Sequence, residues 1–185
     1  MDLDQLAAAF AASLDRRDCY LDTEVRWPQA RLRCRVVVGD HDWPAELVTS
    51  ARAVVFKGSK VVVVSESGGT NHVEPGGGLE PGETVEQALR RELSEETGWS
   101  VGELTPLGFH FFEPLTPKPA GSTRRWGPFV HPIFVTEALS YRRAARDMTQ
   151  IETGSRLTPI RRALAELADD QSALLRAALE RRVQR

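Results

Sequence analysis

The chain has 185 residues, 41% of them apolar, and a formal net charge of −2. That length supports one well-cored domain plus an extension and argues against two full domains. A pI of about 6.1 gives no bulk electrostatic reason to expect nucleic acid or an anionic membrane as a partner. No apolar run reaches membrane-spanning length, and Asp2 and Asp4 stand where a signal peptide would carry basic residues, so a cytoplasmic protein is expected. Cys19 and Cys34 form no CxxC and have no nearby histidine; buried thiols are expected rather than zinc or a redox pair.

Leu3, Leu6, Ala7, Phe10 and Leu14 recur at helical spacing and predict an amphipathic helix docked on the core or on a second subunit. Two strands follow, over residues 20–27 and 30–40. In the second, Arg31, Arg33 and Arg35 alternate with Leu32, Cys34 and Val36, which puts the arginines on one face. A solvated sheet face is expected there, with a phosphate- or subunit-contacting surface as the alternative. After a break at Pro44, residues 46–56 and 60–66 read as a hairpin closed by Lys57-Gly58-Ser59. Arg52, on the face of Ser50 and Val54, either reaches a substrate cleft or caps a sheet edge.

Further on, residues 100–114 predict a strand in which Leu107, Phe109 and Phe111 alternate with Gly108 and His110. The loop over 115–128 is rich in Pro and Gly and gathers Lys118, Arg124, Arg125 and Trp126. Long loops of this kind often carry binding residues. The arginines are candidates for phosphate, and Trp126 for base stacking or for plain packing. Residues 128–138 read as a strand whose Pro128 and Pro132 favour an edge or an irregular start. Two helices close the chain, the first opened by Thr158-Pro159, the second capped by Asp169-Asp170. Leu164, Leu167, Leu174, Leu175 and Leu179 mark their buried faces, and the basic end suits a helix C-terminus.

The most informative stretch is Gly76 to Trp99. Gly76, Gly77 and Gly78 let the main chain approach a ligand closely, and Pro81-Gly82 adds a turn. Thr84 is the expected N-cap, Val85, Ala88, Leu89 and Leu93 the buried stripe, and Gly98 the stop. Glu92, Glu95 and Glu96 then fall within an arc of roughly 100°. Three acids sharing a face at a helix C-terminus repel one another and oppose the dipole, which calls for a compensating positive charge. Hard divalent cations favour such oxygen clusters. A solvated acidic face is the alternative.

The spacing decides between them. Gly77, five residues, Glu83, seven residues, then Arg91-Glu92-Leu93-Ser94-Glu95-Glu96-Thr97-Gly98-Trp99 resembles, position by position, the box of the Nudix hydrolases. Trp99 stands where an aliphatic residue is usual. The resemblance implies an α/β/α sandwich with a mixed central sheet, here with an N-terminal extension over 1–45 and a hydrolase domain with C-terminal helices over 46–185. It also implies hydrolysis of a nucleoside diphosphate linked to another moiety, with Mg²⁺ or Mn²⁺ held by Glu92 and Glu96. Glu95 would be a further ligand or a water-orienting group, the Gly77 carbonyl can also reach a metal, and Arg91 would pair with Glu83 to fix loop against helix. The general base is left open among the box glutamates, Glu113, Glu137 and Glu152.

Glu74 occupies a position that is more often apolar in this family, marking either substrate preference or a solvent-facing side chain. His72 is expected to be structural. Pro114 resembles the proline of the ADP-ribose pyrophosphatase branch, whose N-terminal extension helps form a dimer, so a homodimer is left open. ADP-ribose or a nucleotide sugar is the first choice of substrate. A nucleoside triphosphate, or a nucleotide-sensing module without turnover, is the alternative. No nucleic acid or membrane partner is expected.

Overall fold

Runs of β-branched and aromatic residues set most of this structure, a computed structural model that describes residues 2–14, 19–27, 29–66, 68–121, 126–145 and 152–184. Among them nine strands belong to one mixed sheet, which makes the chain an α/β protein, as expected. The chain forms two compact units, Met1–Thr49 with Gly108–Pro132, and Ser50–Leu107 with Ile133–Arg185.

In the first unit, helix α1 (Leu3–Ser13) precedes strands β1 (Cys19–Trp27) and β2 (Ala30–Val38). Asp2 caps α1, accepting from the Gln5 backbone N–H, and the Gln5 side chain returns the bond to Asp2. β1 and β2 pair antiparallel, and β2 pairs antiparallel with strand β7 (Thr105–Pro114). The register sets Val37 opposite Phe109, Arg35 opposite Phe111 and Arg33 opposite Glu113. Val37, Phe109, Phe111, Leu47 and Val130 form the buried cluster that receives Leu6, Ala7, Phe10, Ala11 and Leu14 of the N-terminal segment. Of its two expected destinations, this segment takes the core of its own chain; Leu3 stays exposed.

The arginine stripe of β2 is solvated at Arg31, half-covered at Arg33 and buried at Arg35. Arg33 forks onto Asp22 at 2.8 and 2.6 Å, Arg31 reaches Glu24 at 3.3 Å, and Arg35 is buried against Glu113 at 3.0 Å with its guanidinium over Phe111. The sequence pattern showed the arginines; their acids on β1 and β7 became neighbours only through strand register. Gly108 sits within this ladder at φ +154°, and a Cβ there would lie 1.9 Å from the Val37 carbonyl oxygen. Neither Cys19, half-buried, nor Cys34, buried, forms a disulfide.

In the second unit, β3 (Arg52–Lys57) and β4 (Lys60–Glu66) form the expected hairpin. β3 starts later than the sequence pattern indicated, because Ala45–Leu47 turns as a 3-10 helix. β4 also pairs with β5 (Asn71–His72) and with β9 (Glu152–Pro159). The stretch read as one strand over 100–114 is two, β6 (Trp99–Val101) and β7, and β6 pairs with β8 (Phe129–Tyr141). β8 runs parallel to β3 from Ile133 to Glu137, so it is an inner strand, and of the two alternatives, an edge or an irregular start, the edge falls away. Pro132 falls between the Val48–Val130 bridge and the start of that parallel ladder.

Helices α2 (Val85–Thr97), α3 (Ile160–Glu166) and α4 (Asp169–Val183) complete the unit. Two cap expectations fail. Thr158 is a strand residue opposite Val61, and Pro159, with no side-chain bond, precedes α3. A ladder running the length of β4 outweighed the local cap signal. Asp169 and Asp170 lie inside the first turn of α4, where they favour the helix dipole without capping it. Leu167, Leu174 and Leu175 are buried and Leu164 and Leu179 half-buried. Near its end α4 is pinned by Arg182, which donates to Glu137 at 2.6 Å and to the Gly58 carbonyl at 2.8 Å over the Phe56 ring.

Candidate active site

Helix α2 forms where expected. Thr84 accepts from the Gln87 N–H at 3.2 Å while the Gln87 side chain accepts from Thr84 N–H at 2.9 Å, and Gly98 ends the helix in the left-handed conformation. Ala88, Leu89 and Leu93 are buried in the same unit. That burial fixes the rotation of the helix, and with it the directions of Arg91, Glu92, Glu95 and Glu96.

Arg91 is the hub. Its Nε and Nη2 fork onto the two oxygens of Glu83 at 2.8 and 2.9 Å, Nη1 donates to Glu92 at 2.9 Å and to Glu95 at 3.3 Å, and Nη2 also reaches the Gly78 carbonyl at 2.9 Å. The bidentate contact with Glu83, together with the Glu80 N–H, holds the Glu83 carboxyl down at about 2. Its bonds to Glu83 and Glu92 push the Arg91 guanidinium above its already high value. Loop and helix are thereby locked together.

The three box acids sit at different depths. Glu96 is 5% exposed and accepts the Gly76 N–H at 2.8 Å. Glu92 is nearly buried, and desolvation raises its pKa in spite of Arg91 and Arg52. Glu95 is the most open, with a third of its side chain exposed. The Glu92 carboxylate lies against Gly77, where a Cβ would come within 2.3 Å of Cδ.

The glycine loop is anchored from β3 and its lead-in. The Ser50 hydroxyl and the Ala51 N–H donate to the Gly77 carbonyl at 2.6 and 3.0 Å, Ala53 N–H donates to Pro75, and Arg52 donates to Gly76. The two lone pairs of the Gly77 carbonyl therefore already have donors. Arg52 caps no edge, since β3 lies between β4 and β8, and its guanidinium is committed to the loop. Ser50 was not singled out by sequence; only its place two residues ahead of Arg52 would have suggested it.

Glu113, Glu137, Trp126 and Glu74 each have a partner of their own. Glu113 is held by Arg35 at 3.0 Å and Glu137 by Arg182 at 2.6 Å. Trp126 donates its indole N–H to the Thr116 carbonyl at 2.9 Å and closes its own loop. Arg124, Arg125 and the side chain of Glu152 lie outside the described residues. Glu74 does not face open solvent. It accepts from Gln171 of α4 at 2.9 Å, a contact with no local sequence signal.

An all-carboxylate donor set fits a hard divalent cation in chemistry. Among the described residues no three acidic, His or Cys side chains already converge as a metal cage, in keeping with the engagement of Glu92 and Glu95 by Arg91 and of Glu96 by Gly76.

No curated protein matches the chain in sequence. Among solved structures, a mutant form of the Bacillus subtilis pyrophosphohydrolase BsRppH aligns with a TM-score of 0.57 at 18% identity, covering 88% of this chain and 96% of its own. A NUDIX hydrolase from Nitrosomonas europaea aligns with a TM-score of 0.55 at 19% identity, covering 72% and 89%. These likenesses carry the fold. The NUDIX domain model matches residues 46–177, a span that takes in the box, the β3 anchors and the first part of α4, and on that match the chain belongs to the Nudix family of hydrolases.

Proposed function

We propose that this hydrolase cleaves a phosphoanhydride bond in a nucleoside diphosphate linked to another moiety, ADP-ribose or a nucleotide sugar first, in a reaction that needs Mg²⁺ or Mn²⁺. The observation that carries the reading is Glu92, a carboxylate kept against the glycine loop with its pKa raised by burial, beside Glu95 and Glu96 on the same helix. A desolvated acid that must still ionise is costly unless a cation meets it.

Glu92, Glu95 and Glu96 would hold the metal, with the Gly77 carbonyl available only if Ser50 or Ala51 let go. When bound, the cation would screen phosphate charge and make a coordinated water acidic enough to give hydroxide near neutral pH. Arg91 keeps Glu92 and Glu95 in place while neutralising part of their repulsion. Glu95, the most open of the three, is the box acid that would orient or deprotonate the attacking water.

The test is product release from a panel of nucleoside diphosphate sugars, dinucleotides and triphosphates, with Mg²⁺, Mn²⁺ or EDTA, for wild type and Glu96→Gln. Metal-dependent turnover of the diphosphate-linked class, lost in the variant, is expected. Triphosphates stay in the panel because one structural neighbour is named a pyrophosphohydrolase. Tight nucleotide binding with no turnover of any compound would instead favour a sensing module.

A further inference from the structure

From Val73 to Gly78 the loop is held almost residue by residue. Pro75, Gly76 and Gly77 are held by β3, its lead-in and Glu96, and Gly78 by Arg91. The first two residues are held from α4, far along the chain. Val73 N–H donates to the side-chain oxygen of Gln171 at 3.0 Å, and the Gln171 amide nitrogen donates to Glu74 at 2.9 Å. One amide on α4 thus fixes a main-chain N–H and the neighbouring carboxylate together, across 98 and 97 residues of sequence. Val73 itself is fully buried.

Three successive glycines have no side chains with which to fix their own path, so beyond the bonds from β3 and its lead-in their course depends on what holds the two ends. Downstream that is Arg91 on Gly78; upstream it is Gln171 on Val73 and Glu74. Between them lies the Gly76 N–H that meets Glu96 at 2.8 Å.

We propose that Gln171 is a positioning residue of the active site: its grip on Val73 and Glu74 sets where the Gly76 N–H meets Glu96, and hence how Glu96 is presented to the metal. The inference rests on the metal-holding role proposed for Glu96. Partners one step removed from a metal's ligands typically change affinity or activity by about 10- to 100-fold when removed.

The pattern of donors supplies a specific test. Gln171→Glu sets two carboxylates face to face. Combining it with Glu74→Gln restores both of these bonds, because the amide and the carboxylate merely change places: the new carboxylate on α4 still accepts from Val73 N–H, and the new amide on the loop donates to it. Mn²⁺ binding, followed by the loss of the free-ion electron paramagnetic resonance signal, and kcat and KM are measured for wild type, the single variant and the exchanged pair. Gln171→Glu is expected to weaken Mn²⁺ binding and lower kcat by about tenfold with little change in KM, and the exchanged pair to recover to within about threefold of wild type. Should Gln171→Glu not fold, Gln171→Asn, which keeps the amide but shortens its reach, is expected to show the same loss. A single variant with wild-type Mn²⁺ affinity and kcat overturns the proposal, as does an exchanged pair no better than Gln171→Glu when its near-ultraviolet circular dichroism matches wild type. If the wild type hydrolyses nothing in the panel, the hydrolysis reading fails while the Mn²⁺ titration still decides the role of Gln171.

Discussion

The Glu92 carboxylate fills the space that a side chain on Gly77 would need: an added Cβ would stand 2.3 Å from Glu92 Cδ and 2.5 Å from either oxygen. This close approach ties the first glycine of the box to its first glutamate on the helix, residues the sequence relates only by spacing. Gly77→Ala is expected to displace the carboxylate and lower kcat by about 100-fold, the usual consequence of a shift near 1 Å at a reacting centre. Its Tm should fall much less, since the loop around Gly77 keeps its bonds to Ser50 and Ala51. Steady-state kinetics and a thermal melt of the same preparation check both halves.

Glu92 should also trade stability for function. Its folded pKa is raised by burial, so above the ordinary carboxylate range its ionisation works against the folded, metal-free protein, and that penalty fades as pH falls. Glu92→Gln keeps an acceptor for Arg91 while removing the charge. At pH 7 without metal it is expected to melt higher than wild type, by about 2–4 °C for each kcal/mol relieved, while losing activity. Differential scanning calorimetry in EDTA reads the first effect, and a lower melting temperature would count against desolvation as the ruling influence on Glu92.

The Arg91–Glu83 fork gives the opposite pH signature. Glu83 is depressed to about 2, so its stabilising contribution is complete above the ordinary value of 4.5 and is lost as pH falls towards 2. Glu83→Gln is therefore expected to be less stable than wild type at pH 7, with the gap closing between about pH 4.5 and 2. Urea unfolding at several pH values measures the gap directly.

In the first unit, Arg35 is the side chain whose removal should cost most among the three arginines of β2. It is buried, paired with Glu113 at 3.0 Å and with the Ala11 carbonyl at 3.3 Å, and lies over Phe111. Arg35→Ala leaves Glu113 without that partner and is expected to destabilise by about 3 kcal/mol, whereas Arg31→Ala, at an exposed pair, should cost at most about 1 kcal/mol. Arg35→Met should fall between, because the apolar stem and the volume over Phe111 are retained. Denaturant melts of the three variants rank them.

What could be read from sequence follows how local each interaction is. Helix α2, with Thr84 at its start and Gly98 at its end, was legible because cap and stripe lie within one short segment, and the pairing of Arg91 with Glu83 was legible only through the resemblance of the box. Strand β9 was not. Its run, ETGSRLTP, carries no clear alternation, and it is a strand because it lies along the length of β4. The arginines of β2 were visible, but the burial of Arg35 depends on Glu113, 78 residues away, and the inner position of β8 on a parallel partner whose approach no local pattern encodes. Arg52 was read as reaching a cleft or capping a sheet edge, and Glu74 as marking substrate preference or facing solvent. Their actual partners, a backbone carbonyl and an amide on α4, belong to contacts that only the folded chain brings about.

The clasp between Gln171 and the residues just ahead of the glycine loop has a consequence for how the protein is made. The whole box emerges from the ribosome long before α4 does, and the strands β8 and β9 that flank the β3–β4 hairpin are also still to come. A nascent chain can therefore form the α2 helix and its Arg91 lock from nearby residues, yet the bonds from Gln171 to Val73 and Glu74 wait until α4 has been synthesised. Contacts so far apart in sequence form late and slowly, so on the role proposed for Gln171 the site would be completed only after α4 has emerged and docked.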